Sequence, residues 1–313
     1  MALLPSVTGD ITRLLALFLD GKKPATLKAY RADLANFADH VGQPSVGDAI
    51  KTLLSNGNGE ANMLVLGYMQ KLHESGIMPA TANRRLTALK MLVRIARSIG
   101  MIQWALDVKP VKASQKDMSG PGIDGFMKLL EQAAQRQDAV AAARDTAILW
   151  LLFGVALRRG EVVGLDLEHV RDDQVFVLGK GREFREAITI PPSVRTAIAA
   201  WVKVRPSSIG EDHPLFLALD RGHFGHRLSG SAVHSMVRGY GTLAGLGIVR
   251  PHGLRHAAVT HALDVSDGNL RKVQRFSRHR DIKMVQRYDD NRQDLGGDMA
   301  KEMDEHIRKG RKT

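Results

Sequence analysis

Four short stretches of this sequence hold side chains that could do chemistry on an anionic group: cations, imidazoles and one phenol. The stretches read "FGVALRRGEVVGL", "GKGREFREAITIP", "RPHGLRHAAVTHAL" and "VQRFSRHRDIKMVQRYDD". The candidate residues in them are Arg158, Lys180, His252, Arg255, His279 and Tyr288. Fixed cations and donors stabilise negative charge that develops beside them, and a tyrosine hydroxyl is a nucleophile once a base or a field of cations favours the phenolate. The question is whether these residues face one site.

Taken singly, each candidate also has a purely structural interpretation. Arg158 can pair with Glu161, three residues further along a helix. Lys180 can simply be solvated at a turn. Tyr288 can be a half-buried packing residue, as most tyrosines are. Only the combination of the four stretches favours chemistry.

Helix geometry constrains the last stretch. On one unbroken helix, residues nine apart lie about 180° out of phase, so His279 and Tyr288 could not face the same group. The sequence predicts a break between them. One helix can end near Arg278, and Asp281 can cap the N-terminus of another.

The composition excludes several classes of site. The 313-residue chain has no cysteine, which rules out a thiol nucleophile, a disulfide framework and cysteine-based metal sites, and which fits a reducing cytoplasm. There is no "HExxH", and His256 and His261 are five residues apart, a poor spacing for two ligands on one helical face. We therefore expect no metal and no cofactor.

The charge points to a polyanionic partner. The chain has 45 Lys and Arg against 33 Asp and Glu, a net charge of +12, and the basic excess is spread over both halves. Nucleic acid is favoured, with an anionic membrane surface or RNA as weaker alternatives. No apolar run is long enough to span a bilayer.

Residues 1–110 are predicted to form a small helical bundle. In "TLKAYRADLANFADHV" an apolar stripe recurs at steps of three and four, formed by Leu27, Tyr30, Leu34, Phe37 and Val41, with Thr26 as a plausible N-cap. A second helix buries Leu86, Leu89, Val93 and Ala96 and ends at Gly100. Basic residues on its remaining surface are candidates for DNA binding: Arg84, Arg85, Lys90 and Arg94.

Residues 111–122 are polar, contain Pro121 and are predicted to be an interdomain linker. Residues 123–313 are predicted to form a second domain. It opens with helices up to about Leu157, continues with two strands around the Gly-Lys-Gly turn, and is helical again from Pro192 to the C-terminus. The fold class is thus mainly α, a helical bundle followed by an α+β domain with a small antiparallel sheet.

Together the motifs resemble the tyrosine recombinases, or phage-integrase-like site-specific recombinases. "GVALRRGEV" is similar to their box T-G-[LM]-R-x-[SG]-E-[LIV], "GKGREFRE" to G-K-G-x-K-x-R, and "HGLRH" to H-x-L-R-H. The family's L-G-H, followed nine residues later by tyrosine, stands here as Ser277, Arg278, His279 and Tyr288, with two departures. Residue patterns alone leave Arg158 and Arg159 open as the first arginine, and the resemblance selects Arg158. Two helices of the N-terminal half also resemble the family's core-binding domain, a SAM-like bundle.

The resemblance implies a role for each candidate. Tyr288 would be the nucleophile on a DNA phosphodiester and His252 its base. Lys180 would be the general acid. Arg158, Arg255 and His279 would bind the phosphate oxygens, supported by Glu161 and His256. Further DNA contacts are expected from Arg182, Arg278 and Arg280. The product would be a covalent 3′-phosphotyrosine, and strands would be exchanged through a four-way junction without metal or ATP.

The resemblance also implies an assembly: four protomers on two double-stranded DNA sites, from a chain that is a monomer or dimer when free. A C-terminal tail after Tyr288 would dock on a neighbouring subunit, or remain a solvated helix. An accessory protein could set the direction of recombination, and the absence of an arm-binding domain before residue 10 favours a simple recombinase. The expected location is cytoplasmic and nucleoid-associated, in a prokaryotic, phage or mobile-element context. The alternatives are a type IB-like topoisomerase and a catalytically silent DNA-binding protein of the same fold.

Overall fold

The chain is described by a computed structural model that covers residues 10–55, 57–112, 120–179, 181–210, 212–286, 288 and 295–310. It divides into two compact units, Met1–Gln115 and Lys116–Thr313. The division falls inside the stretch 111–122 that was predicted to be a linker, of which 113–119 lie outside the described residues. Among the helices of the described residues, none is long and apolar enough to cross a membrane.

The described part of the first unit is built from five helices. They are α1 Asp10–Leu19, α2 Pro24–Val41, α3 Val46–Ser55, α4 Asn58–Glu74 and α5 Pro79–Ser98. The central residues of the predicted stripes are buried as expected: Leu34 and Phe37 on α2, and Leu86 and Leu89 on α5. Leu27, Tyr30 and Val41 are partly buried. Their spacing of three and four residues brings them onto one face of each helix, so that packing α2 against α5 removes both stripes from water.

The N-cap expected at Thr26 is wrong. Helix α2 begins two residues earlier, at Pro24, with Lys23 as its N-cap, and the Thr26 backbone N–H already donates to the Lys23 carbonyl. Proline presets the helical φ and lacks the N–H that would go unpaired in the first turn, so it is a better start than a threonine inside the helix. At the other end of the bundle, Gly100 follows α5 with a φ of 79°, close to where the sequence predicted the helix to end.

The second unit is also mostly helical in its described part. Its helices are α6 Gly122–Ala134, α7 Ala139–Phe153, α8 Arg159–Val163, α9 Pro192–Val204, α10 Gly230–Leu243, α11 Pro251–Asp264, α12 Leu270–Ser277, α13 Ile282–Gln286 and α14 Leu295–Gly310. Helix α7 is buried along most of its length and packs against α6, α9 and α11. Its neighbours cover it on several sides, which explains why its sequence is apolar nearly all round.

A small sheet interrupts the helices of the second unit. Its strands are β1 Val170–Arg171, β2 Gln174–Leu178 and β3 Arg185–Thr189, in the order β1-β2-β3 with antiparallel pairing. The predicted hairpin is confirmed, with Val175 opposite Ile188. Strand β1 has only two residues, too few for an alternating pattern, so the sequence could not reveal it. The fold is therefore mainly helical with a three-stranded antiparallel sheet, as expected.

Candidate active site

Arg158 lies in the turn that follows α7 and forms the N-cap of α8. Glu161 accepts hydrogen bonds from both ends of this residue, from the backbone N–H at Oε2 and from Nη1 at Oε1, each at 2.8 Å. The Glu161 carboxylate is buried, whereas the Arg158 side chain remains 34% exposed. The structural and the catalytic interpretations of Arg158 are thus compatible, because the ion pair orients a guanidinium that still reaches solvent.

Arg255 lies on α11, which Pro251 begins as predicted. Its side chain is only 1% exposed, and its guanidinium donates to the backbone carbonyls of Ala156 and Ser277. Burial and the nearby Arg158 lower the pKa of Arg255 to about 10, so the side chain still carries its charge at neutral pH. The two carbonyls hold a fixed cation beside the turn that carries Arg158.

The break predicted between His279 and Tyr288 is confirmed. Helix α12 ends at Ser277, and Arg278 then adopts a left-handed conformation with a φ of 57°. Helix α13 starts at Ile282, preceded by Asp281, whose Oδ1 accepts from the Lys283 backbone N–H at 2.9 Å. As a result the Tyr288 hydroxyl lies 3.4 Å from Nε2 of His279.

His279 is held from both sides. The Ser277 hydroxyl lies 2.8 Å from Nδ1, and Nη2 of Arg255 lies 3.5 Å from Nε2. Gln274 donates to the His279 carbonyl at 3.1 Å, which fixes the backbone. Burial, followed by the charges of Arg255, Arg158 and Arg278, lowers the pKa of His279 to about 4, so the imidazole is neutral at physiological pH.

Tyr288 is 6% exposed and lies between two imidazoles. Its ring centroid is 4.6 Å from that of His256 and 5.3 Å from that of His279. The Thr260 hydroxyl donates to the Tyr288 backbone carbonyl at 3.4 Å and so ties this turn to α11. These contacts aim the phenol at the cations that surround His279.

His252 lies one residue after Pro251 on α11, with an exposed side chain. Partial loss of hydration, together with the positive charges of Arg255 and Arg158, lowers its pKa, which favours the neutral, basic imidazole. The structure thus brings Arg158, Arg255, His279 and Tyr288 together and places His252 within their electrostatic reach.

Lys180 lies outside the described residues, but the hairpin around it is described. The Gly181 carbonyl accepts a hydrogen bond from Nη2 of Arg280 at 3.0 Å, which joins the turn after β2 to the segment that carries His279. Arg182 and Arg280 are exposed, so their predicted role as DNA contacts is sterically open to them. Both line a cleft of about 270 Å³ that also includes Arg158 and His279.

Arg278 does not have the exposure expected of a DNA contact. Its side chain is 6% exposed, and Nη2 donates to Oε2 of Glu161 at 2.8 Å. Burial alone would raise the pKa of Glu161, but the charge of Arg278 and the hydrogen bonds from Arg158 outweigh it, and the net pKa is lowered. Glu161 is therefore a buried carboxylate shared by two arginines.

The four predicted DNA-binding residues of the first unit differ in whether their side chains are already paired within the protein. Arg84 pairs with the buried Asp33, and Arg85 bonds to Asn36 and also lies near Asp33. Lys90 is partly exposed and Arg94 is exposed. Ion pairing with α2 occupies the first two side chains, so Lys90 and Arg94 are the more available to a phosphate.

Sequence reasoning missed the contributions of Ser277, Gln274 and Thr260. Each acts through a contact that depends on the turn between α12 and α13 or on the packing of that turn against α11. Ser277 carried one signal, since it stands where the family pattern has leucine and so introduces a hydroxyl two residues before a histidine. The inward direction of Arg278 had no such signal.

Comparisons with known proteins identify the family of this chain. Residues 125–294 match the phage integrase family. A tyrosine recombinase of Synechococcus elongatus is 37% identical over 316 residues, covering 98% of this chain and 96% of that protein. Another, of Synechocystis sp., is 36% identical over 285 residues, covering 88% and 89%.

Solved structures show the same fold. The Tn1549 transposon integrase, determined in complex with transposon right end DNA, aligns with a TM-score of 0.69 at 17% identity, over 94% of this chain and 98% of that one. With the match over residues 125–294 and the identity to two full-length relatives, this chain belongs to the phage integrase family, as a tyrosine recombinase, an enzyme of site-specific DNA recombination.

Proposed function

We propose that this recombinase cuts and rejoins double-stranded DNA through a covalent 3′-phosphotyrosine at Tyr288. The observation that carries the proposal is the convergence of a phenol, an imidazole and two arginines that are far apart in the sequence. The Tyr288 hydroxyl lies 3.4 Å from His279, which is 3.5 Å from Arg255, and Arg158 is oriented by Glu161 beside the same cleft. An anionic phosphodiester fits this group of cations and donors.

In the proposed cleavage step the Tyr288 oxygen forms a bond to phosphorus and the bond from phosphorus to the DNA 5′-oxygen breaks. The phenolic proton passes to an imidazole, for which His252 is the candidate, and the 5′-oxygen takes a proton from Lys180. Arg158 and Arg255 would bind the non-bridging oxygens, where negative charge grows in the transition state. They suit this task because a guanidinium is planar, permanently charged and donates in pairs.

His279 would donate a hydrogen bond to the same phosphate. A neutral imidazole has one N–H, and the hydrogen bond at one nitrogen determines which nitrogen carries it. The Ser277 hydroxyl, 2.8 Å from Nδ1, can donate there and leave the proton on Nε2, the nitrogen on the Tyr288 side. His256 would support the phenol by packing against its ring.

Religation explains why the reaction needs neither ATP nor a nuclease partner. The phosphotyrosine is itself a phosphodiester, so a 5′-hydroxyl from a second duplex can attack it and restore a DNA bond. Two such exchanges proceed through a four-way junction and require four protomers on two duplexes. DNA contacts outside the reaction centre would come from Lys90 and Arg94 in the first unit and from Arg182 and Arg280 in the second.

Helix α14 supports the proposed assembly. Its Met299, Met303 and Ile307 recur every four residues and are more than half exposed, which leaves an apolar stripe in water. The second unit also has an open pocket of about 280 Å³, lined largely by apolar side chains at the end of α7 and along α11 and α12, including Phe153, Ala262 and Phe276. We propose that α14 of one protomer covers this pocket on the next. Acting on chromosomal or mobile-element DNA, the enzyme would work in the cytoplasm, near the nucleoid.

The first experiment uses a DNA substrate nicked beside the candidate cleavage position, so that the released fragment diffuses away and the covalent complex accumulates. The DNA sequences to try are those that the protein binds in a selection from random duplexes. Wild type and Tyr288→Phe are incubated with this DNA in EDTA, and adducts are resolved on a denaturing gel. We expect an adduct with wild type that is absent with the variant. Adduct formation by Tyr288→Phe would show that another residue is the nucleophile.

A further inference from the structure

Arg278 stands where the family pattern has glycine, and its backbone keeps the conformation that glycine favours. Its φ of 57° is left-handed, which L side chains rarely adopt, and it ends α12 one residue before His279. A side chain at such a position is tolerated when its contacts compensate. Those contacts show what Arg278 does.

The Arg278 guanidinium links three parts of the second unit. Nη2 donates to Oε2 of Glu161 at 2.8 Å, while Nη1 donates to the carbonyls of Val155 at 3.3 Å and Phe276 at 3.4 Å. Nη2 also lies 3.5 Å from the carbonyl of Ala156. The side chain thus fastens the end of α12 to the turn that precedes Arg158.

Arg158 and Arg278 use the same carboxylate. Oε1 of Glu161 accepts from Nη1 of Arg158, while Oε2 accepts both from the Arg158 backbone and from Arg278. With Oε2 held by Arg278, the carboxylate cannot rotate without losing a buried ion pair, so Oε1 stays where it accepts from Nη1 of Arg158. The Ala156 carbonyl is shared in the same way, since Arg255 also donates to it.

We propose that Arg278 is a positioning residue for the cleavage step and not a DNA contact. It fixes Glu161 and the turn at 155–156, so that the guanidinium of Arg158 and the imidazole of His279 are held toward one phosphate. Its burial and its four protein partners leave it poorly placed to reach DNA directly. This inference rests on the proposed phosphotyrosine chemistry and adds a residue that acts through Arg158.

The test measures single-turnover adduct formation on the nicked substrate, together with equilibrium DNA binding and the melting temperature. Arg278→Gly removes the side chain and leaves a residue suited to the left-handed backbone. We expect adduct formation to slow by about tenfold or more, with DNA affinity changed less than about threefold. Arg275→Ala is the matched control, because it removes an exposed positive charge three residues earlier, and it should cleave at the wild-type rate.

A double-mutant cycle separates positioning from a general loss of structure. If Arg278 acts by holding Arg158 and His279, the loss of rate in Arg158→Ala with Arg278→Gly should be clearly smaller than the sum of the two single losses. Fully additive losses would overturn the inference, as would a variant with weakened DNA binding and an unchanged cleavage rate. A wild-type protein that forms no adduct would instead overturn the proposed function, and this inference with it.

A second variant covers the case in which Arg278→Gly melts much earlier than wild type. Arg278→Lys keeps the positive charge, but a single ammonium cannot reproduce a planar fork that bonds to a carboxylate and to backbone carbonyls together. We expect Arg278→Lys to melt close to wild type and to cleave several-fold more slowly. A rate equal to wild type would show that charge alone suffices and would contradict the positioning role.

Discussion

At the scale of single residues, the site is defined by which groups are charged. Arg158, Arg255 and Arg278 are cations within one small region, and Glu161 is the buried carboxylate that two of them share. Burial, and then the net positive charge of this site, lower the pKa of His279 and disfavour its protonated form. His279 is therefore a neutral donor or acceptor, and in the proposed reaction Arg158 and Arg255 supply the positive charge that a phosphate meets among the described residues of the site.

Stability should depend on pH through His279. Its pKa is about 4 in the folded chain, against an ordinary value of about 6.5 in the unfolded chain, so the unfolded state binds more protons between these values. Stability is then fully present above about pH 6.5 and is lost as the pH falls toward 4, by at most about 3 kcal/mol. Urea unfolding of wild type and His279→Gln at several pH values measures this. The two proteins should differ in slope between pH 6.5 and 4, and parallel curves would contradict the assignment.

At the scale of elements, the site depends on the break between helices α12 and α13. Helices α12 and α13 would together be one helix if their hydrophobic pattern ran on, and His279 and Tyr288 would then point apart. Arg278 ends the first helix and Asp281 begins the second, so the chain turns and both side chains face one another across 3.4 Å. Tyr288 lies two residues after the end of α13 and its backbone N–H donates to the Val285 carbonyl, so the cap at Asp281 is part of what positions the phenol.

Removing the Asp281 cap of α13 should lower both the stability of the protein and its rate of adduct formation. Asp281→Ala loses the side-chain acceptor for the Lys283 N–H, for which we expect a loss of about 1 kcal/mol in the free energy of unfolding. We also expect slower adduct formation, because the start of α13 becomes less defined.

A matched control is available in Asp138, which caps α7 by accepting from the Ala141 N–H at 3.0 Å. Asp138→Ala should lose similar stability and keep the cleavage rate. Equal loss of rate in both variants would mean that stability, and not the placing of Tyr288, governs the effect.

At the scale of the whole molecule, two compact units share the basic charge and one C-terminal helix carries an uncovered apolar stripe. In the proposed reaction, strand exchange needs several copies on two duplexes, whereas cleavage of one strand needs only one site. The exposed stripe of α14 and the apolar pocket of the second unit therefore belong to assembly in our proposal, and the reaction centre around Tyr288 to cleavage.

Removing residues 295–313 should separate these two activities. We expect the truncated protein to bind a single site and form the Tyr288 adduct, while complexes that hold two duplexes fall by about tenfold, because apolar burial between protomers is lost. Native gels with two labelled duplexes measure this. Changing Met299, Met303 and Ile307 together to serine should have the same effect, and normal pairing by both variants would contradict the docking proposal.

The sequence by itself determined the local features. Stripes at steps of three and four residues predicted α2 and α5, the Gly-Lys-Gly turn predicted the hairpin, and the nine-residue spacing required a break before Tyr288. These succeed because each depends on neighbours within a few residues, where backbone periodicity restricts the choice. The one wrong cap, at Thr26, arose because a nearby proline was a better start for the same helix.

Only the tertiary structure decided how the distant residues meet. The pairing of Arg158 with Glu161 is local, three residues apart, but nothing local shows that the distant Arg278 binds the same carboxylate. A long, flexible arginine turns toward solvent or toward the interior according to which acceptors the rest of the fold places beside it. The sequence could therefore identify the cations of the site, but only the packing of α11 and α12 against the turn after α7 assigned Arg158 to the cleft and Arg278 to the interior.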